Sequence, residues 1–159
     1  KIAAQRLCDY LSIEDDTRNY ITLMPCNLYG KNDNYSPERS HLIASIIEKI
    51  HNAKVENIDS VEIWGDGKVR REFMYVQDFA DAVWFVLPLI SQLPNIINIG
   101  TGKDYSIFDY YKKVAEILDF KGNFSFNLSK PIGMKQKLLD VKRITDLGWT
   151  PNNSLESGK

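Results

Sequence analysis

The sequence is poor in the residues that build metal centres and disulfide frameworks. It has two cysteines and two histidines among its 159 residues. Cys8 and Cys26 match no metal-binding spacing, and two cysteines are too few for a disulfide framework. We therefore expect no bound metal and a reducing compartment, most simply the cytoplasm.

Strong net charge and long apolar runs are also missing. A net charge of -1 gives no reason to expect nucleic acid or an anionic membrane as partner. The longest apolar stretch, residues 82–90, contains Pro88 and is far shorter than the roughly 20 residues of a membrane span. Hydrophobic residues make up 43% of the chain, which is ordinary for a globular domain with a sizeable core.

A helix start is missing at the beginning of the chain. Lys1 stands directly before an amphipathic pattern, with no Ser, Thr, Asp or Asn to cap it. The apolar face of this helix comprises Ala3, Ala4, Leu7, Cys8 and Leu11. We expect the later part of a helix here, and hence a fragment of a longer protein whose exposed apolar surface favours association.

Alternating strand and helix patterns fill the rest of the chain and predict an α/β fold. The helix after residue 32 is predicted to begin near residues 37–40, and the one in residues 106–120 opens on a capping-box pattern. The largely apolar helix in residues 77–90 is expected to be mostly buried. Strands are predicted in residues 20–30, 61–65, 69–76, 95–102 and 122–128, and helices in residues 37–54, 77–90, 106–120 and 137–149.

The stretch "WGDGKVRREF", residues 64–73, allows two interpretations. Two short strands about a Gly-Asp-Gly turn predict a β-hairpin with solvated charges. Alternatively, one arginine binds a phosphate, because a guanidinium offers a matching fork of donors. Arg70 and Arg71 are neighbours in a strand, so their side chains point to opposite faces and only one of them can face a given pocket.

Two other features allow a functional and a structural interpretation. His41 follows Ser40 at a helix start, where a histidine can donate a proton or simply lie on the surface. The glycines of "NIGTG", residues 98–102, could cradle a phosphate, but they lack the Gly-x-Gly-x-x-Gly spacing. A turn at the end of a strand is the simpler interpretation there.

Taken in order, the motifs resemble the C-terminal half of the extended short-chain dehydrogenase/reductase family, most closely its GDP-L-fucose synthase branch. The strings that carry the resemblance are "KIAA..LCD", "MPCNLYGKNDNYSPERSHLI", "VEIWGDGKVRREFMYVQDFADA", "INIGTG", "KLLDVKRITDLGW" and "SLESG". The resemblance implies the C-terminal part of a Rossmann-type parallel sheet with a small α/β substrate-binding domain. Residues 1–30 would be the Rossmann remnant and residues 31–159 mainly the substrate domain, with residues 70–100 returning to the Rossmann sheet.

The resemblance also implies catalytic and cofactor-binding residues. Lys1 would be the lysine of the Tyr-x-x-x-Lys pair, which binds the nicotinamide ribose and favours the tyrosinate. The tyrosine would precede Lys1 by four residues and so lies outside the chain. His41 would be the acid in epimerisation. The implied contacts of NADP(H), or of NAD, are Lys1, Pro25, Cys26, Asn27, Leu28 and His41.

The implied substrate is a nucleotide sugar, a GDP-linked 4-keto-6-deoxy sugar or a related one, held by Asn27, Lys49, Trp64 and Arg71. Lys49 stands where the family has an arginine, and it lacks the bidentate fork. In "KPIGMKQK", Ile132 replaces an acidic and Gln136 a basic family residue, so another nucleotide sugar, such as one carrying a heptose, remains possible. The implied assembly is a homodimer.

Three functional readings therefore remain open. The first is an epimerase-reductase that is inactive without its N-terminal half. The second is a 4-epimerase, 4-reductase or dehydratase acting on another nucleotide sugar. The third is a non-catalytic module that binds nucleotide sugars.

Overall fold

Helices and strands alternate along the chain, which confirms the predicted α/β class. The structure, a computed structural model, describes residues 2–15, 17–36 and 39–154. Its helices are α1 (Ile2–Glu14), α2 (Leu42–Val55), α3 (Val76–Val86), α4 (Ile107–Ile117) and α5 (Lys142–Asp146), with a 3-10 turn at Leu87–Gln92. Its strands are β1 (Thr22–Pro25), β2 (Asn27–Tyr29), β3 (Ser60–Trp64), β4 (Arg70–Arg71), β5 (Phe73–Tyr75), β6 (Ile96–Ile99), β7 (Tyr105–Ser106), β8 (Asn123–Asn127) and β9 (Gln136–Lys137).

Most strand pairs in the described ranges are parallel and join segments far apart in sequence. Strand β1 pairs with β6, β2 with β5, and β3 with β8, all in parallel. Strand β4 lies between β7, which is antiparallel to it, and β9, which is parallel. Parallel partners need long crossover connections, and α2, α3 and α4 lie within those connections.

Two hydrophobic clusters hold these elements together. One packs α2 and α4 against β3, with Ile46, Ile50 and Ile63 fully buried. The other packs α3 and α5 against β1 and β6, with Ile97 and Ile99 at its centre. Burying each of these isoleucines contributes about 1.5–3 kcal/mol. Strands β2 and β5 contribute to both clusters, Tyr29 and Tyr75 to the first and Leu28 and Met74 to the second.

The predicted hairpin at residues 64–73 is wrong. Strands β3 and β4 do not pair with each other, because β3 pairs with β8 and β4 with β7 and β9. Gly65 and Gly67 have φ angles of 75° and 70°, and they turn the chain out of one sheet and into another. The predicted second strand is also interrupted, at the buried residue Glu72.

Helix α3 is less buried than its composition predicts. Only Asp78, Ala82 and Val86 are buried, along one face, and Trp84 is 75% exposed. Helix α3 contacts β5 and β2. Val76 and Trp84 are 40% and 75% exposed, so the helix is buried along one face only.

The predicted helix starts differ in accuracy. Helix α2 begins at Leu42, slightly later than predicted, and its buried residues include Ile43, Ile46 and Ile50. In α4 the capping box is confirmed, because the main-chain N–H of Asp109 donates to the Ser106 hydroxyl at 3.0 Å. That hydroxyl in turn donates to the Asp109 carboxylate at 2.6 Å. Of the residues predicted for this second helix, Pro37 and Glu38 lie outside the described ranges.

Candidate functional site

A large open cavity lies between the β1–β2 connection, α2, and strands β3, β4 and β9. Its volume is about 1360 Å³. Every predicted site residue except Lys1 lines it: Pro25, Cys26, Asn27, Leu28, His41, Lys49, Trp64 and Arg71. Lys1 lies outside the described residues. The fold thus brings four separated segments of the chain to one cavity.

Two hydrogen bonds hold the connection between β1 and β2, which lines this cavity. The main-chain N–H of Cys26 donates to the Ile99 carbonyl at 2.9 Å, continuing the β1–β6 ladder. The Asn27 side-chain amide donates to the Glu72 carbonyl at 2.8 Å. Burial, reinforced by the Glu72 charge, raises the pKa of the Cys26 thiol to about 12. Cys26 is therefore a packing residue rather than a nucleophile or acid.

His41 lies at the mouth of the cavity, immediately before α2. It occupies the N-cap position, but its side chain makes no capping hydrogen bond. The imidazole is 79% exposed, and its Nδ1 lies 3.7 Å from Oδ1 of Asp33. An exposed imidazole at a cavity mouth can exchange protons with both ligand and solvent.

The ammonium groups of two lysines lie over the ring of Trp64. The Nζ of Lys49 lies 5.2 Å from the ring centroid, and that of Lys130 lies 4.9 Å from it. Burial lowers the pKa of Lys49, although Glu62 and Glu48 oppose this effect. A flat ligand that stacks on Trp64 would therefore lie next to two ammonium groups.

Arg70 and Arg71 point to opposite faces, as predicted. The Arg70 guanidinium donates to Asp104 Oδ1 at 2.7 Å and 3.0 Å, and this contact holds the pKa of Asp104 below its usual range. Gln136 also donates to Asp104, at 2.6 Å. The Arg71 guanidinium lines the cavity and donates to the carbonyls of Arg70 and Met134, both at 2.7 Å. The first arginine is neutralised by a carboxylate, and the second faces the cavity.

Lys137 stands beside Arg71 and was not among the predicted site residues. The two residues are paired in the parallel β4–β9 register and both line the cavity. Within the described ranges, no carboxylate forms an ion pair with either of them. Strand β9 has only two residues, so no sequence periodicity indicates that it pairs with β4. Two adjacent cations without anionic partners make this wall of the cavity suited to a diphosphate.

Glu72 is the second residue that the sequence did not identify. It is 1% exposed, and its carboxylate accepts main-chain N–H groups from Thr101, Gly102 and Leu139 at 2.6–2.9 Å. The Thr101 and Gly102 amides of "NIGTG" are thus occupied within the protein, which supports the strand-end turn over the phosphate cradle. Leu139 follows Lys137 by two residues, so Glu72 also anchors β9 next to β4.

A comparison with known protein families shows which family has this sequence and fold. A model of the NAD dependent epimerase/dehydratase family matches residues 1–100, more than half of the chain. The chain belongs to this family. Membership accounts for the parallel pairs β1–β6 and β2–β5, which fall within the matched residues.

Relatives within the family are similar along the whole chain. GDP-L-colitose synthase from Yersinia pseudotuberculosis is 45% identical over 158 residues, covering 99% of this chain and 51% of the relative. GDP-L-fucose synthase from Azorhizobium caulinodans is also 45% identical, over 99% of this chain and 50% of its own length. The chain thus spans about half the length of the curated relatives it matches.

A solved structure supports the same placement. The GDP-mannoheptose C4 reductase from Campylobacter jejuni, solved with NADP bound, superposes with a TM-score of 0.84. It is 33% identical, and the match covers 99% of this chain and 55% of the reductase. The predicted Rossmann-type α/β architecture is thereby confirmed.

Among the described residues, no helix combines the length and apolar character needed to cross a bilayer. Nor do three or more His, Cys, Asp or Glu side chains gather there in a group that could hold a metal ion.

Proposed function

We propose that this chain is the substrate-binding half of an NADP(H)-dependent GDP-sugar epimerase-reductase, inactive in turnover by itself. The observation that carries the proposal is the cavity wall formed by Arg71 and Lys137. These two cations lack carboxylate partners in the described structure and lie in the same cavity as Trp64 and the β1–β2 connection. The names of the synthases and the reductase that the chain resembles agree with this substrate class.

In the proposed diphosphate subsite, positively charged side chains bind the phosphates. Arg71 supplies a planar fork and Lys137 a compact ammonium, and together they can contact both phosphates. Lys49 adds a third cation on the side of Trp64. The nucleoside would then extend along Trp64, whose indole is 56% exposed and available for contact.

The β1–β2 connection fits a nicotinamide cofactor. In parallel α/β sheets, ligands bind beyond the carboxyl ends of the strands, and Pro25 ends β1 at that edge. Pro25, Cys26, Asn27 and Leu28 would line the nicotinamide end, and Lys1 would bind its ribose. When bound, NADPH supplies the hydride that reduces the ketone. The remaining contacts belong to residues that this chain does not contain.

His41 is proposed to move the protons of epimerisation. A carbon next to a carbonyl loses and regains a proton when a base and an acid are placed on suitable faces, and an imidazole can serve as that acid. His41 lines the same cavity as Arg71 and Lys137. Asn27, fixed by its bond to the Glu72 carbonyl, would hold the sugar between them.

A second candidate is a C4 reductase of a GDP-heptose without epimerisation. It is favoured by the likeness to the GDP-mannoheptose reductase and by Ile132, which lines the cavity as an apolar residue packed on Gly65. Product analysis separates the candidates. An epimerase acting at two carbons incorporates solvent deuterium at both, whereas a simple reductase incorporates it at neither.

The domain division, dimer and location are proposals of the same kind. Residues 1–30 and 70–100 would belong to the Rossmann part, as the cluster around β1, β6 and α3 suggests. Ile2, Leu7, Tyr10 and Ile13 of α1 are 58–78% exposed, which supports a homodimer contact through this helix. Both cysteines are free, consistent with a cytoplasmic protein.

The test uses the whole protein that contains these residues. It is incubated in deuterated water with NADPH and, in separate reactions, a GDP-linked 4-keto-6-deoxyhexose or a GDP-linked 4-keto-heptose, and products are read by NMR and mass spectrometry. Reduction with deuterium at two ring carbons supports the proposal, and reduction without deuterium supports the second candidate. Neither reaction, or equal turnover by the 159-residue chain alone, would contradict it.

A further inference from the structure

The imidazole of His41 has no anchor within its own helix. As the N-cap of α2 it makes no side-chain capping bond, and the first turn of α2 has no acidic residue. The N-terminus of a helix carries a partial positive charge, which disfavours a cation at that position. A histidine that must carry and deliver a proton there needs a partner from another segment.

Asp33 is positioned to be that partner. Its side chain is only 15% exposed, and its Oδ1 lies 3.7 Å from Nδ1 of His41. The two residues belong to different segments, since Asp33 lies in the loop after β2. In the described structure, His41 has no other ion pair.

The loop that carries Asp33 is fixed by its own turn. The Asp33 N–H donates to the Gly30 carbonyl at 3.2 Å, and Oδ1 of Asp33 accepts the Asn34 N–H at 2.7 Å. Gly30 has φ of 148°, and a Cβ there would lie 2.8 Å from Val76 and 2.9 Å from Tyr75. Only glycine fits this approach, so the turn places the Asp33 carboxylate reproducibly.

We propose that Asp33 is a positioning residue for His41: its carboxylate accepts the Nδ1–H, leaving Nε2 as the atom that exchanges protons with the substrate. The inference rests on the proposed function for its chemistry but not for its geometry. The 3.7 Å separation is longer than a hydrogen bond, but a small rotation of the exposed imidazole closes it, whether or not a ligand occupies the cavity. A carboxylate on one imidazole nitrogen fixes the tautomer at the other.

The geometry is tested without any activity. Two-bond proton–nitrogen NMR spectra of the 159-residue chain at about pH 8, where ordinary histidines are neutral, report the tautomer of each imidazole. His51 is exposed and serves as the internal reference. We expect more Nδ1–H tautomer at His41 than at His51, a loss of that excess in Asp33→Ala, and its return in Asp33→Glu. Equal tautomer populations at both histidines in the wild-type chain would overturn the inference.

The catalytic consequence is tested in the whole protein. We expect Asp33→Ala to lower the rate of deuterium exchange by about tenfold or more while KM for the GDP-sugar changes less than about twofold. The matched control is Asp66→Ala, which also removes a carboxylate that caps a turn, at the Lys68 N–H. If Asp33→Ala exchanges deuterium as fast as the wild type, the positioning role of Asp33 is refuted but the proposed function is not. Absence of exchange in the wild type refutes the proposed function, while the NMR result still decides the geometry.

Discussion

Glu72→Gln is the substitution that tests most sharply how the site is assembled. The Glu72 carboxylate is buried and has no cationic partner in the described ranges, so hydrogen bonds alone stabilise its charge. Oε1 accepts the N–H groups of Thr101 and Gly102 at 2.6 Å and 2.8 Å, and Oε2 accepts that of Leu139 at 2.9 Å. A glutamine has the same shape, but it keeps only one acceptor oxygen and no charge.

The cost follows from these contacts. The two bonds from the Thr101 and Gly102 N–H groups become neutral ones, and each is weakened by about 1 kcal/mol. The Leu139 N–H loses its acceptor, which costs about 1–3 kcal/mol. Because the buried charge is also removed, its desolvation cost disappears and offsets part of this loss. We therefore expect the free energy of unfolding to fall by about 2–4 kcal/mol. For a chain of this size that lowers Tm by about 5–15 °C.

The assay is urea denaturation of the 159-residue chain, followed by tryptophan fluorescence, with thermal scans in parallel. The control is Glu62→Gln, since Glu62 is exposed and accepts only the Asn127 side chain at 2.9 Å. The control should change the free energy of unfolding by less than about 1 kcal/mol. If Glu72→Gln were as mild as the control, Glu72 would not be the anchor of β9.

Two further predictions concern the turn at Gly65, next to Trp64, and the ion pair between Arg70 and Asp104. Gly65→Ala should destabilise the chain by about 1–2 kcal/mol more than Gly148→Ala does, because both glycines have positive φ but only the first leaves a Cβ in contact with Ile132. Equal losses in denaturant melts would remove the packing argument. Since the Arg70 contact lowers the folded-state pKa of Asp104 below its ordinary value of 3.8, the stabilisation is present above that value and is lost as the pH falls through the folded pKa. The difference in free energy of unfolding between wild type and Asp104→Asn should therefore be smaller at about pH 3 than at about pH 5, on either side of the ordinary Asp pKa. An equal difference at both pH values would contradict this prediction.

Local patterns predicted the first four helices and the division of the two arginines, because these depend on nearby residues. The helix predicted in residues 137–149 is wrong over its first part, since Lys137 belongs to β9 and α5 spans only Lys142–Asp146. The Ser106 capping box needs only three residues of context, and the opposite faces of Arg70 and Arg71 follow from the strand period alone. The exposed face of α3 was not predictable from composition, since Trp84 is apolar whether or not anything packs on it.

Strand partners were the main failure. Strand β3 pairs with β8, about sixty residues away, and nothing in either strand specifies that partner over a neighbour across a Gly-Asp-Gly turn. The same non-local pairing places Lys137 beside Arg71 and buries Glu72 between segments. The site residues that sequence reasoning missed are those whose role depends on such pairings.

The most direct test of the central claim is calorimetric titration of GDP into the 159-residue chain and three variants. We predict that the wild type and Arg70→Ala bind GDP with similar Kd, because Arg70 faces Asp104 and not the cavity. Arg71→Ala and Lys137→Ala should each raise Kd by about tenfold or more, as expected for loss of a charge-assisted contact to phosphate. Weakening by Arg70→Ala equal to that by Arg71→Ala, or no GDP binding by the wild type, would contradict a nucleotide diphosphate site in this cavity.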